Sequence, residues 1–187
     1  QLTVSTGRVV DFRAKSYLET ESKEGTAPLI YPTHFLNGFV RWPKHGGRKP
    51  NAILMDPMID DQLIPSDHYV LVKRFSSKEE RRRIVAAVYD PSYVPASRVG
   101  FENHLNYYHE NGNGLPPVLA KGLAAFLNST IVDSYFRQFN GHTQVNATDL
   151  RSLNYPSRLQ LEALGARIGD CFPEQSSLDR LIEEELT

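Results

Sequence analysis

The sequence predicts an α+β fold, and three observations predict it. Its 187 residues are 40% hydrophobic, enough for a compact domain with a real core. The first hundred residues carry short β-branched or aromatic runs cut by Pro and Gly. After Gly114 the apolar residues recur at helical spacing instead. Mixed or antiparallel strands and loops followed by a helical part is the α+β order. The expected division is a domain over residues 1–170 and an acidic helical tail over 171–187.

Taken in order, Leu2–Ser5, Leu29–Tyr31, Phe39–Trp42 and Ala52–Met55 read as strands. Tyr69–Phe75 alternates as a strand would, Ser76–Glu80 is turn-like, and Arg83–Tyr89 resumes, so a hairpin is expected. A helix from Ser77, capped with Glu80 three residues on, is the alternative. It is disfavoured because Ile84, Val85, Val88 and Tyr89 are mostly strand formers. Pro116 suits a first helical turn. Leu119, Leu123, Phe126 and Leu127, continued by Ile131, Tyr135, Phe136 and Phe139, predict one long helix closed by Asn140-Gly141. A polar loop follows over 142–149, then an extended segment Leu150–Tyr155, a helix over Arg158–Gly169 and a short acidic helix over Ser177–Leu186.

The single cysteine, Cys171, excludes an internal disulfide and fits a reducing, cytoplasmic setting. No apolar run approaches the roughly 18 residues that span a bilayer, and no signal peptide opens the chain. The start at Gln1, directly in strand-like sequence, reads as a fragment or a processed chain. Six dispersed histidines match no zinc spacing, and no nucleophile–base pattern stands out.

Net charge is −1, which argues against a polyanionic partner, but the distribution argues the other way. Arg41, Lys44, Arg48 and Lys49 form a run without an acid. Lys73, Arg74, Lys78, Arg81, Arg82 and Arg83 face only Glu79 and Glu80. The acids collect at Asp56, Asp60, Asp61 and Asp67 and from Glu174 to Glu185. Either each run is a solvated surface or the neutral total conceals a basic face.

Several segments in order carry a family resemblance. They are Val4-Ser-Thr-Gly7 with Val10-Asp-Phe-Arg13, Pro28-Leu-Ile-Tyr-Pro32, Val40-Arg-Trp-Pro43, Val72–Glu80 and Val99–Tyr107. Leu127-Asn-Ser129, Tyr135-Phe-Arg137, Gly141–Arg151 and Tyr155-Pro156 complete the series, which runs to about residue 165. Together they resemble the C-terminal target-recognition region of N6-adenine DNA methyltransferases from type II restriction–modification systems. Gly141-x-Thr-Gln…Asn146 is also similar to type I specificity subunits. The resemblance implies a sequence-specific DNA-recognition domain whose partners are double-stranded DNA and an N-terminal methyltransferase domain of the same chain. It implies no cofactor in this part and S-adenosylmethionine in the parent enzyme. The family's Asn/Asp-Pro-Pro-Tyr/Phe tetrapeptide is missing from these residues. Asp90-Pro-Ser-Tyr93 lacks its second proline and reads as a turn. A minimal methyltransferase using Asp90–Tyr93 and a subunit-interaction module are the rival readings.

DNA recognition needs cations for phosphates and forked groups for base edges. The 44–49 loop offers Lys44, Arg48 and Lys49 as a phosphate clamp, or is only a hairpin tip. Lys73, Arg74 and Ser76 end one strand of the expected hairpin and Arg81 begins the other, so these groups should converge. One or two of Arg81–Arg83 should pair with Glu79 or Glu80. In a strand His104 and Asn106 would share a face, and Asn suits adenine. His142, Thr143 and Gln144 head the polar loop. Asn146 and Asp149 are expected to bond backbone there.

Overall fold

The computed structural model describes residues 1–187. Its strands are β1 (Leu2–Thr6), β2 (Leu18–Glu19), β3 (Thr26–Ile30), β4 (Phe35–Leu36), β5 (Phe39–Val40), β6 (Ala52–Leu54), β7 (Leu63–Pro65), β8 (Tyr69–Lys73), β9 (Ala86–Tyr89), β10 (Arg98–Phe101) and β11 (Leu105–Glu110). Its helices are α1 (Pro117–Leu127), α2 (Thr130–Phe139), α3 (Ala147–Arg151), α4 (Arg158–Ala166) and α5 (Gln175–Leu186). Strands therefore precede helices, the α+β order.

The strands form two sheets, β1-β11-β8-β9-β5-β4 and β2-β6-β3-β10-β7. β8 and β9 are the expected hairpin, antiparallel with Tyr69 opposite Tyr89 and Val72 opposite Ala86. Its alternation sorts side chains onto two faces. Val70, Val72, Ala86 and Val88 point at the helices, into the core that α1, α4 and α5 complete. Tyr69, Leu71, Ala87 and Tyr89 point at the second sheet, where Tyr69 meets Phe101 edge-on at 5.4 Å; Tyr107 of the first sheet lies edge-on to the same ring at 6.0 Å. The second sheet's outer face buries Ala27, Leu29, Ile53 and Ile59. The layers are helices, first sheet, second sheet and a thin covering of loops.

Four expectations are corrected. The long helix is two, broken at Asn128-Ser129. Ser129 caps α2, and the Asn128 amide both accepts from Ala86 N and donates to Ala86 O at 2.9 Å. Asn128 is thus spent on the sheet, which periodicity does not register. Leu150–Tyr155 is not extended, because α3 takes residues 147–151 and the capping carboxylate of Asp149 accepts from Asn146 N. The loop after β5 is not a hairpin tip, since β5 lies in one sheet and β6 in the other. His104 lies in a tight turn, with Leu105 N donating to Glu102 O at 3.0 Å, so it shares no strand face with Asn106.

Helices α1 and α4 cross at glycines. A Cβ on Gly122 would collide with the Leu161 carbonyl, and one on Gly165 with the Val118 carbonyl. Their small size sets how closely the two backbones pack. α5 joins the same core through Leu178 and Ile182 and is tied to α4 by Arg167, which bonds Glu184 and Glu185. No helix is long and apolar enough to cross a membrane.

Candidate nucleic-acid interface

One end of the first sheet gathers segments from four parts of the chain. Where β8 ends, residues 74–76 pair with 143–145: Ser76 N donates to Thr143 O at 2.9 Å and Val145 N to Arg74 O at 2.7 Å. The 102–105 turn lies alongside, with Arg74 N donating to His104 O and the Arg74 guanidinium to Asn103 O. Val9 closes the group through a bridge to Glu102. Arg74, Phe75, His104, Thr143 and Gln144 are thereby brought together on one surface.

Two of these are aromatic and face outward. Phe75 remains 39% exposed in the middle of a hydrogen-bonded pairing, with the His104 ring centroid 5.0 Å away and the Arg74 guanidinium carbon 5.6 Å from its own ring. An exposed phenylalanine flanked by a cation and an imidazole is a surface for stacking and apolar base contact.

The 140–149 loop is held from beneath. Arg83 is fully buried and donates to Ser76 Oγ, to Asn140 O and Oδ1, and to His142 O. Asn140 passes the support on, donating to Gln144 O and to the Asp149 carboxylate. Asn106 is also fully buried, accepting from Thr6 Oγ1 and donating to Val145 O. With its backbone fixed, the loop leaves His142 and Thr143 exposed and Gln144 partly so.

The predicted site residues therefore divide. Arg74, His104, His142, Thr143 and Gln144 share the sheet end. Ser76 and Asn106 are in the interior, bonded to protein partners, and act on the surface only by shaping it. Lys73 pairs with Glu80 at 3.3 Å. Arg81 is turned away and lines a cleft with Glu174, Gln175 and Asp179 of the α5 end. None of Arg81, Arg82 and Arg83 pairs with Glu79 or Glu80. Arg82 bonds Asn128 O and Gln175 instead. A buried arginine bonded to carbonyls was illegible in a run of three, because the run reads as surface.

The basic loop lies across the second sheet. Buried Asn51 closes its base, accepting from Lys44 N and donating to Lys44 O. Lys49 pairs with Asp11 at 3.2 Å and lies 5.0 Å from the Tyr31 ring. Arg48 is exposed, and Lys44 reaches Thr33 O. Burial, then Asp11 and Glu102, push the Tyr31 phenol far above its ordinary value.

Asp90–Tyr93 is a side-chain-stabilised turn. The Asp90 carboxylate accepts from Ser92 N at 2.8 Å and Ser92 Oγ at 2.7 Å, with His68 Nε2 3.3 Å away. No group of three or more potential metal ligands is present.

The geometry defines a class first: an α+β domain presenting a cation-flanked, amide- and aromatic-bearing loop surface at one sheet end. No family model matches the chain. It is 46% identical over 185 residues to the type II methyltransferase M.PstI of Providencia stuartii, covering 99% of this chain and 36% of that protein. It is 51% identical over 187 residues to the type II methyltransferase M.BsuBI of Bacillus subtilis, covering 99% of this chain and 37% of that protein. The chain thus spans little more than a third of the length of the curated relatives it matches.

Proposed function

We propose that this chain is the sequence-specific DNA-recognition part of an adenine-N6 DNA methyltransferase of a restriction–modification system. The target base is flipped and methylated by a catalytic domain outside these residues, which also binds S-adenosylmethionine. The observation that carries the reading is the convergence of Arg74, Phe75, His104, Thr143 and Gln144 on one rigidly supported surface. Arg74 and the Lys44–Lys49 loop contact phosphates and set register, while Gln144, Thr143, His142 and His104 face base edges. Similarity to two type II methyltransferases over a third of their length supports the reading.

The experiment is a fluorescence-anisotropy titration of the chain with duplex DNA at low salt, repeated as salt rises. Binding that weakens linearly in log salt is expected. A flat titration at every duplex concentration overturns the proposal. Calorimetry with S-adenosylmethionine is expected to show no heat from this chain. A binding isotherm would favour a minimal methyltransferase instead.

One observation favours a second role. Ile131, Tyr135 and Phe139 recur every fourth residue along α2 at 62%, 42% and 46% exposure, an apolar stripe left largely in solvent. Sedimentation showing a dimer without DNA would support a subunit-interaction module.

A further inference from the structure

The Glu102 carboxylate is fully buried, and both its oxygens serve one exposed residue. Oε2 accepts from His104 N at 2.9 Å and Oε1 bonds His104 Nδ1 at 2.7 Å. Removing a carboxylate from water is costly, and a tight turn can be closed by a neutral side chain. What a carboxylate adds is a fixed imidazole. An ionised acceptor requires the proton on Nδ1, so ring orientation and tautomer are set together. Nε2 bonds nothing within the protein, and the side chain is 49% exposed. Phe75 stands against the same ring with its own outer face in solvent.

We infer that Glu102 and Phe75 position His104 to read an adenine–thymine pair in the major groove. Nε2 of the neutral ring accepts from the adenine 6-amino group, and the Phe75 ring meets the thymine methyl. An acceptor beside an apolar face suits that pair's major-groove edge, which carries the amino donor on adenine and, beyond thymine O4, the methyl on its partner. Cytosine also offers an amino donor, but its guanine partner presents no methyl. Glu102 is a positioning residue, since it is buried and reaches DNA only through His104. This inference rests on the DNA-recognition reading above.

The test is selection of bound duplexes from a pool with a randomised centre, followed by affinities for base analogues at the selected positions. The wild-type chain is expected to select A·T at one position. It should bind at least tenfold more weakly when that adenine is replaced by purine, which lacks the amino group, or that thymine by uracil, which lacks the methyl. His104→Ala should become indifferent to purine at that position and Phe75→Ala indifferent to uracil, with every other selected position unchanged. Glu102→Gln leaves one of the two donors without its acceptor. It should weaken discrimination at the same position when binding is compared at matched folded fraction. Should it unfold, His104→Ala and Phe75→Ala decide alone. If wild type selects a site and His104→Ala keeps every preference, or the affected pair is C·G, this inference fails and the recognition reading stands. If wild type selects nothing, the recognition reading itself fails.

Discussion

The guanidinium of Arg83 spans both oxygens of Asn140, with Nη1 and Nη2 each 3.3 Å from its acceptor. That pair joins the 76–83 connection of the hairpin to the loop that carries His142, Thr143 and Gln144. Arg83 is charged and fully buried, with backbone and amide oxygens in place of a carboxylate. Burial lowers its pKa from the ordinary guanidinium value, and Arg137 acts in the same direction. Removing it takes one donor from each of four oxygens, of which Asn140 Oδ1 alone keeps another, His142 N. Arg83→Met is expected to cost about 3 kcal/mol or more by urea denaturation. Arg81→Ala, at an exposed position two residues away, should change stability by less than about 0.5 kcal/mol.

The α1–α4 crossing supplies a second stability prediction. A methyl at Gly122 or Gly165 meets backbone carbonyl, which has no rotamer by which to escape. Gly122→Ala and Gly165→Ala are each expected to lose about 3 kcal/mol, the upper range for overpacking, although alanine favours helices. Gly141→Ala, with open space around the Cβ, should melt close to wild type.

Two histidines predict how stability depends on pH. His34 Nδ1 accepts from Tyr31 N, and His109 Nδ1 accepts from Gly112 N, so the fold needs both rings neutral. Desolvation lowers both pKa values, with Lys44 acting in the same direction on His34 and Arg8 on His109. Below about pH 6.5 the unfolded chain takes up protons that the native state refuses. The stability these rings give is therefore complete above that value and lost as pH falls beneath it. Unfolding free energy should drop between pH 7 and pH 5, with a slope approaching about 1.4 kcal/mol per pH unit for each linked proton. His34→Gln should flatten the curve, and an unchanged slope would remove His34 from the account.

Asn106 separates support from contact. Asn106→Ala removes the donor to Val145 O and leaves Thr6 Oγ1 without its acceptor. It should cost about 1–3 kcal/mol of stability. Its effect on DNA affinity should disappear when binding is compared at matched folded fraction, whereas that of Gln144→Ala should persist.

The strand-rich half was legible because hydrophobic alternation and Pro/Gly punctuation are local signals. The β8–β9 hairpin followed from them, since Tyr69–Lys73 and Ala86–Tyr89 each present two apolar faces. What was not legible depended on partners far along the chain. Asn128 ends a helix whose apolar period continues past it, because its amide is bonded to Ala86 forty-two residues away. Asn106 and Ser76 have the composition of DNA-contacting residues but are buried beneath the loop they hold. Glu102 carried no sequence signal: a lone acid before Asn-His reads as surface until both its oxygens are found on His104. Arg74 and Arg81 lie in one basic run, yet the chain reverses between them and sends them to different faces.

That divergence gives the most direct test of the central claim that duplex DNA is met at the sheet end bearing Arg74, Phe75, His104 and Gln144. The measurement is the slope of log affinity against log salt for duplex DNA, in wild type, Arg74→Ala and Arg81→Ala. Losing one phosphate contact should lower the slope by about 0.9. The account predicts that decrease for Arg74→Ala and an unchanged slope for Arg81→Ala. An unchanged slope for Arg74→Ala together with a decrease for Arg81→Ala would place the DNA on the other face and contradict it.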